Sequence, residues 1–325
     1  MNQLVYIFEP VYKPTLWGGD RIALYKNETL RLRHIGESWE ISAVPGSESI
    51  GAEGPDKGLT LTELCKKYGE ELLGHKCVER YGLIFPLLVK IIDAKNDLSV
   101  QVHPDDNLAR KRHNSFGKTE MWYIVDSDPE ASIAFGFSRQ IDFEQLSNLV
   151  EQGKLADTLA KYDTRPGDCF LIPAGRVHTI GAGNLIIEIQ RNSDITYRID
   201  DFNRRDANGN LRELHLQLAK DAIDYSVKDN FRTPYAGTPG TPAPIVECDY
   251  FKTDILELAA GTGTELGHID SFRIIVCIEG AVTITDDFGN TTELTQGHSA
   301  LIAACSKNIR VTAKDSDSKA LLCNI

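Results

Sequence analysis

No stretch of the 325 residues approaches the roughly 18 consecutive apolar positions that a membrane-crossing helix needs. The opening MNQLVYIFEPVYK lacks the basic-then-apolar layout of a secretory signal, so a cytoplasmic protein without a membrane partner is expected. The seven cysteines, Cys65, Cys77, Cys169, Cys248, Cys277, Cys305 and Cys323, are odd in number and scattered, with no CxxC pair. That spacing argues against a thiolate metal site or a disulfide framework and for reduced, buried thiols. Basic residues are outnumbered, 35 Lys and Arg against 47 Asp and Glu, for a net charge of -12. A nucleic-acid partner is thereby excluded, because a phosphate backbone recruits clustered cations. A small phosphorylated ligand is not, since two or three local cations can hold one phosphate. No GxxxxGK phosphate loop occurs either, so side-chain cations such as Arg191, Arg204, Arg205 and Lys118 must do any such holding.

What is present is short β-like runs. FPLLVKIIDAKNDLSVQV, from Phe85 to Val102, is rich in apolar and β-branched residues, and similar runs follow at Met121–Val125, Ser132–Phe137, Asp168–Ile172, Leu185–Gln190 and Thr196–Ile199. This spacing predicts a mainly β protein, a sandwich or barrel. Helical inserts are predicted at Leu61–Tyr68, behind a Thr60 cap with Glu63 three residues on, over Ile141–Tyr162, and from about Arg212 to Tyr225. KDNFRTPYAGTPGTPAP is dense in Pro, Gly and Thr and marks residues 228–244 as a linker or crossing loop. The expected organisation is a catalytic unit over 1–227 and a small all-β unit over 245–325, with DDFGN as a hairpin turn.

Gln101-Val102-His103 closes a strand, so the two side chains project from one face; Glu120 stands at the entrance of the next strand and His178 follows a turn. Two imidazoles and a carboxylate from neighbouring strands suit a divalent metal. Alone, His178 is more often a hydrogen-bonded histidine than a ligand; the conjunction carries the reading. GDCFLIPAGRVH matches the cupin spacing of Gly, five residues, Pro, one residue, Gly, two residues, His through Gly167, Pro173, Gly175 and His178. Two positions depart from it: Ala182 replaces the usual Asn, and Gln101 replaces the first His of the HxH pair.

At these residues the chain resembles the class I mannose-6-phosphate isomerases, in their short bacterial form. The likeness runs through YKPTLWGGDRI, GESWEIS, FPLLVKIIDAKNDLSVQVHPDD, GKTEMWYIV, GDCFLIPAGRVHTI and IEIQRNSDITYRIDDFNR, most of the first 205 residues. The resemblance implies cupin, jelly-roll β-sandwich domains with helical insertions and one Zn2+ per chain on Gln101, His103, Glu120 and His178. It also implies an aldose–ketose isomerisation of mannose 6-phosphate through an enediolate. Arg198 of NSDITYR, with Asp194 and Glu188 nearby, Lys118 of Lys118-Thr119-Glu120, and Lys90 fall at active-site positions, and Trp17, Lys118 and Arg198 at the substrate. Longer relatives carry a His before that Lys, where this chain has Gly117. The second unit looks like a cupin without metal: Ala303 replaces the Pro of the turn and no His follows, leaving His268 and His298 structural or surface residues. An Fe(II) oxygenase and a sugar-sensing cupin are the competing readings, since two His and a carboxylate also suit iron and the same pocket could bind without turnover.

Overall fold

The computed structural model describes residues 1–325 apart from 2, 207, 229 and 230. Its strands make two sandwiches. In the first, a six-stranded sheet built on Cys169–Ile172, Glu120–Ser127, Asn184–Arg191, Leu87–Ala94, Val11–Gly19 and Ile35–Ile41 faces a five-stranded sheet of Tyr197–Asp200, Val100–Val102, His178–Ile180, Ser132–Phe137 and Leu159–Asp163. Ile92, Trp122, Ile124, Phe170 and Ile186 from one sheet pack on Ile133, Phe135 and Ile180 from the other. In the second, a seven-stranded sheet faces the four strands Gly263–Gly267, Asn308–Ala313, Ala281–Thr285 and Thr291–Thr295 over an apolar interior, including Leu256, Ile275, Val282, Leu294, Val311 and Leu322. This is the expected mainly β, cupin-type sandwich architecture.

The alternation of side chains along each strand decides what each layer holds. Leu87–Ala94 is buried throughout. Its Leu87, Val89 and Ile91 face the largest cluster, which joins the back of this sheet to Ile274, Val276, Leu321 and Cys323 of the seven-stranded sheet and to Leu61, Leu64, Leu72 and Leu73 of the helical insert. Lys90 and Ile92 point the other way, into the first sandwich. The N-terminal strand Val5–Glu9 pairs with Ser299–Ile302, so residues 5–9 belong to the seven-stranded sheet although they lie within the segment 1–227. Of the segment 228–244, residues 229 and 230 lie outside the described ones. Residues 231–235 run along the first sandwich, where Phe231 packs on Phe135 at 4.9 Å between ring centres and the Tyr235 hydroxyl donates to the Gly167 carbonyl at 2.7 Å; further on, the Gly240 N–H donates to the Glu257 carbonyl at 2.7 Å and Ala243 pairs with Ile255 of the seven-stranded sheet.

Leu61–Tyr68 is a helix with the predicted Thr60/Glu63 capping box, and the DDFGN turn joins Ala281–Thr285 to Thr291–Thr295. Two helices are shorter than expected. The one predicted over Ile141–Tyr162 ends at Glu151, because Gly153 takes a positive φ of 65° and Leu159–Asp163 is claimed by pairing with Ser132–Phe137. Between Arg212 and Tyr225 only Leu216–Lys220 is α-helical.

Candidate metal centre

Strand register assembles the site. On the five-stranded sheet Arg198 lies opposite Gln101, and Gln101 opposite His178, so these three side chains form one row on the inner face. On the six-stranded sheet a second row reads Phe170, Trp122, Glu188, Lys90, Trp39, and Glu120 stands two residues before Trp122 on the same face, opposite Gln190. The space between the sheets thus receives a carboxylate from one side and an amide and imidazole from the other, while His103 comes from just beyond Val100–Val102.

Ligand atoms of His103, Glu120 and His178 all lie within 4.8 Å of one another, and all three residues are buried. Each imidazole is oriented from behind. His103 Nδ1 meets the Ile195 carbonyl at 3.0 Å and His178 Nδ1 the Arg176 carbonyl at 2.8 Å. Since a carbonyl accepts only from N–H, both Nδ1 atoms carry the proton and both Nε2 lone pairs face the centre. His178 Nε2 lies 3.3 Å from Glu120 Oε1, and His103 Nε2 lies 3.5 Å from Glu120 Oε2. The Gln101 amide nitrogen sits 3.2 Å from His178 Nε2; turning that amide over presents its oxygen instead.

The electrostatics ask for a cation. Burial, with the charge of Lys118 adding to it, holds His103 well below the usual imidazole range, and burial brings His178 down to about 4. Both rings are therefore neutral, as metal ligands must be. Burial and the charge of Glu188 push Glu120 up, and its Oε1 has no hydrogen-bond partner. The one cation among these donors is the Lys118 ammonium, 2.9 Å from His103 Nε2 and 2.5 Å from Glu120 Oε2. The residues present fit a divalent metal.

Beside the centre, burial works to raise Glu188, but the charges of Lys118 and Lys90 and the Trp122 indole N–H, at 2.8 Å, outweigh it and keep the carboxylate ionised. Lys90 Nζ lies 3.2 Å from Glu188 and 3.7 Å from Glu37; burial would lower it, but the carboxylates around it win and raise it. Arg198 is half-buried, with Nη1 on the Glu213 carbonyl at 2.8 Å. Trp17 is buried in the cluster that holds Trp122, and Asp194 is exposed on the turn after Arg191. Sequence reasoning passed over Trp122, Gln190, Glu37 and Trp39, which enter the site through register. His268 is exposed, with Nδ1 on the Ser306 carbonyl, and His298 Nε2 meets Glu28 at 2.9 Å. Among the described residues, His103, Glu120 and His178 form the one cluster of metal-ligating side chains.

The model of the type I phosphomannose isomerase catalytic domain matches residues 6–146. A mannose-6-phosphate isomerase, ManA, of Bacillus subtilis is 37% identical over 276 residues, covering 84% of this chain and 85% of the relative. The mannose-6-phosphate isomerase of Streptococcus mutans is 35% identical over 73% of each chain. Among solved structures, a mannose 6-phosphate isomerase from Bacillus subtilis superposes with a TM-score of 0.88 at 31% identity, covering 99% of this chain and 100% of that one.

Proposed function

We infer the chemistry from one premise: the chain belongs to the type I phosphomannose isomerase family. Its reaction is the interconversion of mannose 6-phosphate and fructose 6-phosphate. The observation that carries the reading further is the convergence of two neutral, carbonyl-oriented imidazoles on a buried carboxylate, with an amide in the same row. We assign Gln101, His103, Glu120 and His178 to Zn2+, one per chain. A neutral amide, two neutral imidazoles and one carboxylate leave the ion net positive, and zinc accepts such N and O donors. Bound there, zinc supplies Lewis-acid polarisation of sugar oxygens.

Isomerisation moves a proton between C1 and C2 through an enediolate, which needs a base and a stabiliser of negative charge. Glu188 is the assigned base, because Trp122 and Lys90 keep its carboxylate ionised and buried at the site. Lys90 and Lys118 offset the developing charge or relay the proton during ring opening. Arg198, in the row with Gln101 and His178, faces the enediolate with a guanidinium that stays charged. Trp17, Lys118 and Arg198 are assigned to the substrate, and Asp194 to the rim beside Arg198. A cytoplasmic location accords with a charged sugar-phosphate substrate and with seven free cysteines.

Zinc-loaded protein incubated with mannose 6-phosphate should yield fructose 6-phosphate. Turnover no higher than that of a Gln101→Ala/His178→Ala double variant would sink the reading. Oxygen uptake with iron restoring activity in place of zinc would favour an oxygenase.

A further inference from the structure

One buried group at this site has work that neither the ligand set nor the acid–base assignments use. Gln190 is fully buried on the inner face, directly opposite Glu120 across the strand pair. Its amide orientation is fixed: Nε2 donates to the Arg191 carbonyl at 2.8 Å and to the Ser193 carbonyl at 2.6 Å. Reversing the amide would set an oxygen against two carbonyl oxygens, so the assignment of N and O is forced. With both N–H bonds used, Oε1 is left as a pinned acceptor, and it has no donor in the protein. Directly opposite residues on one face stand about 5 Å apart at Cβ, so Gln190 and Glu120 leave the sheet as inner-face neighbours, and Glu120 Oε1 also lacks a hydrogen-bond partner. Two buried acceptors on neighbouring inner-face positions, each without a donor in the protein, call for a donor from outside it.

We propose that Gln190 is a positioning residue of the metal centre, its carbonyl oxygen accepting an O–H from the water or sugar hydroxyl that enters with the metal. The inference rests on the metal assignment made above. Its polar amide does two jobs at once: the nitrogen secures the turn that carries Ile195, the residue holding His103, and the oxygen holds the incoming hydroxyl.

Two variants separate these jobs. Gln190→Met keeps the length but has neither donor nor acceptor; Gln190→Glu keeps an acceptor oxygen next to Glu120 and loses the amide hydrogens. Zinc affinity is measured by competition with a chromophoric chelator, and the melting temperature is measured with and without zinc. Loss of the turn bonds lowers the metal-free melting temperature of both. Gln190→Met should bind zinc roughly 10–100-fold more weakly, with a smaller zinc-induced rise in melting temperature, the range seen when outer partners of metal ligands are lost. Gln190→Glu should bind within a few-fold of the parent or tighter. Unchanged zinc affinity in Gln190→Met, or an equal weakening in both, assigns Gln190 to the turn alone and overturns the proposal. Should Gln190→Met not fold, Gln190→Leu, which likewise has neither donor nor acceptor, takes its place with the same two outcomes. A parent protein that takes up no zinc refutes the metal assignment instead.

Discussion

The two sandwiches share an architecture and differ in what lies between their sheets. The second is filled with Leu256, Leu258, Ile275, Val282, Leu294, Val311 and their neighbours, all apolar. The first sets Lys118, Glu120, His103, His178, Lys90 and Glu188 among its aromatic and aliphatic residues, every one of them buried. Burying charge costs stability unless it is paired, and here each group has a partner or a ligand position to fill. The first interior thus carries a cluster of buried ionisable groups, whereas the cluster between the sheets of the second is apolar. The second unit also holds the first in place, since the large cluster between them runs from Val89 and Ile187 through the helical insert to Ile274 and Leu321.

The sharpest way to break the contrast is to remove a ligand from the first interior. His178→Ala should cost more activity than the roughly 10–100-fold typical of lost outer partners, while far-ultraviolet circular dichroism stays that of the parent. A retained rate would remove the metal centre from the account. Next in size is a cavity in the second interior: Leu294→Ala, at a site 1% exposed, should lower stability by about 2–5 kcal/mol in denaturant unfolding. The turnover per folded molecule should stay level, and a fall in turnover at low denaturant would show that the second unit takes part in catalysis. Trp122→Phe tests the charged row of the first sandwich. It removes the indole donor from Glu188 and should cost about 1.5–3 kcal/mol in kcat/KM, the usual worth of a hydrogen bond to a charged group. Zinc content should not change, so parallel loss of both would move Trp122 into metal support. The smallest effect belongs to His298→Ala, which breaks a half-exposed contact with Glu28 and should change stability by less than about 1 kcal/mol and leave the rate alone.

How much of this was legible beforehand follows from the range of each interaction. Gln101, His103, Glu120 and His178 were singled out from strand alternation, the GDCFLIPAGRVH spacing and the family resemblance together, and the structure gathers the His103, Glu120 and His178 side chains into one buried cluster beside Gln101. The Thr60 capping box and the DDFGN hairpin are local, and both are present. Trp122, Gln190, Glu37 and Trp39 were missed because each matters only through the residue opposite it, and register across four strands is set by long-range pairing. The same reason hid the pairing of Val5–Glu9 with Ser299–Ile302, nearly three hundred residues away. The Ile141–Tyr162 helix failed where a glycine with φ of 65° and a strand partner overrode helical periodicity. Asp194 was named for its place in NSDITYR, and its exposure shows that motif position does not fix burial.

The central claim is that metal belongs to the first sandwich alone. Zinc per chain, measured by elemental analysis after exhaustive dialysis, tests it most directly in the parent, His178→Ala and His298→Ala proteins. The account predicts one zinc in the parent and in His298→Ala and none in His178→Ala; zinc retained in His178→Ala, or lost from His298→Ala, would contradict it.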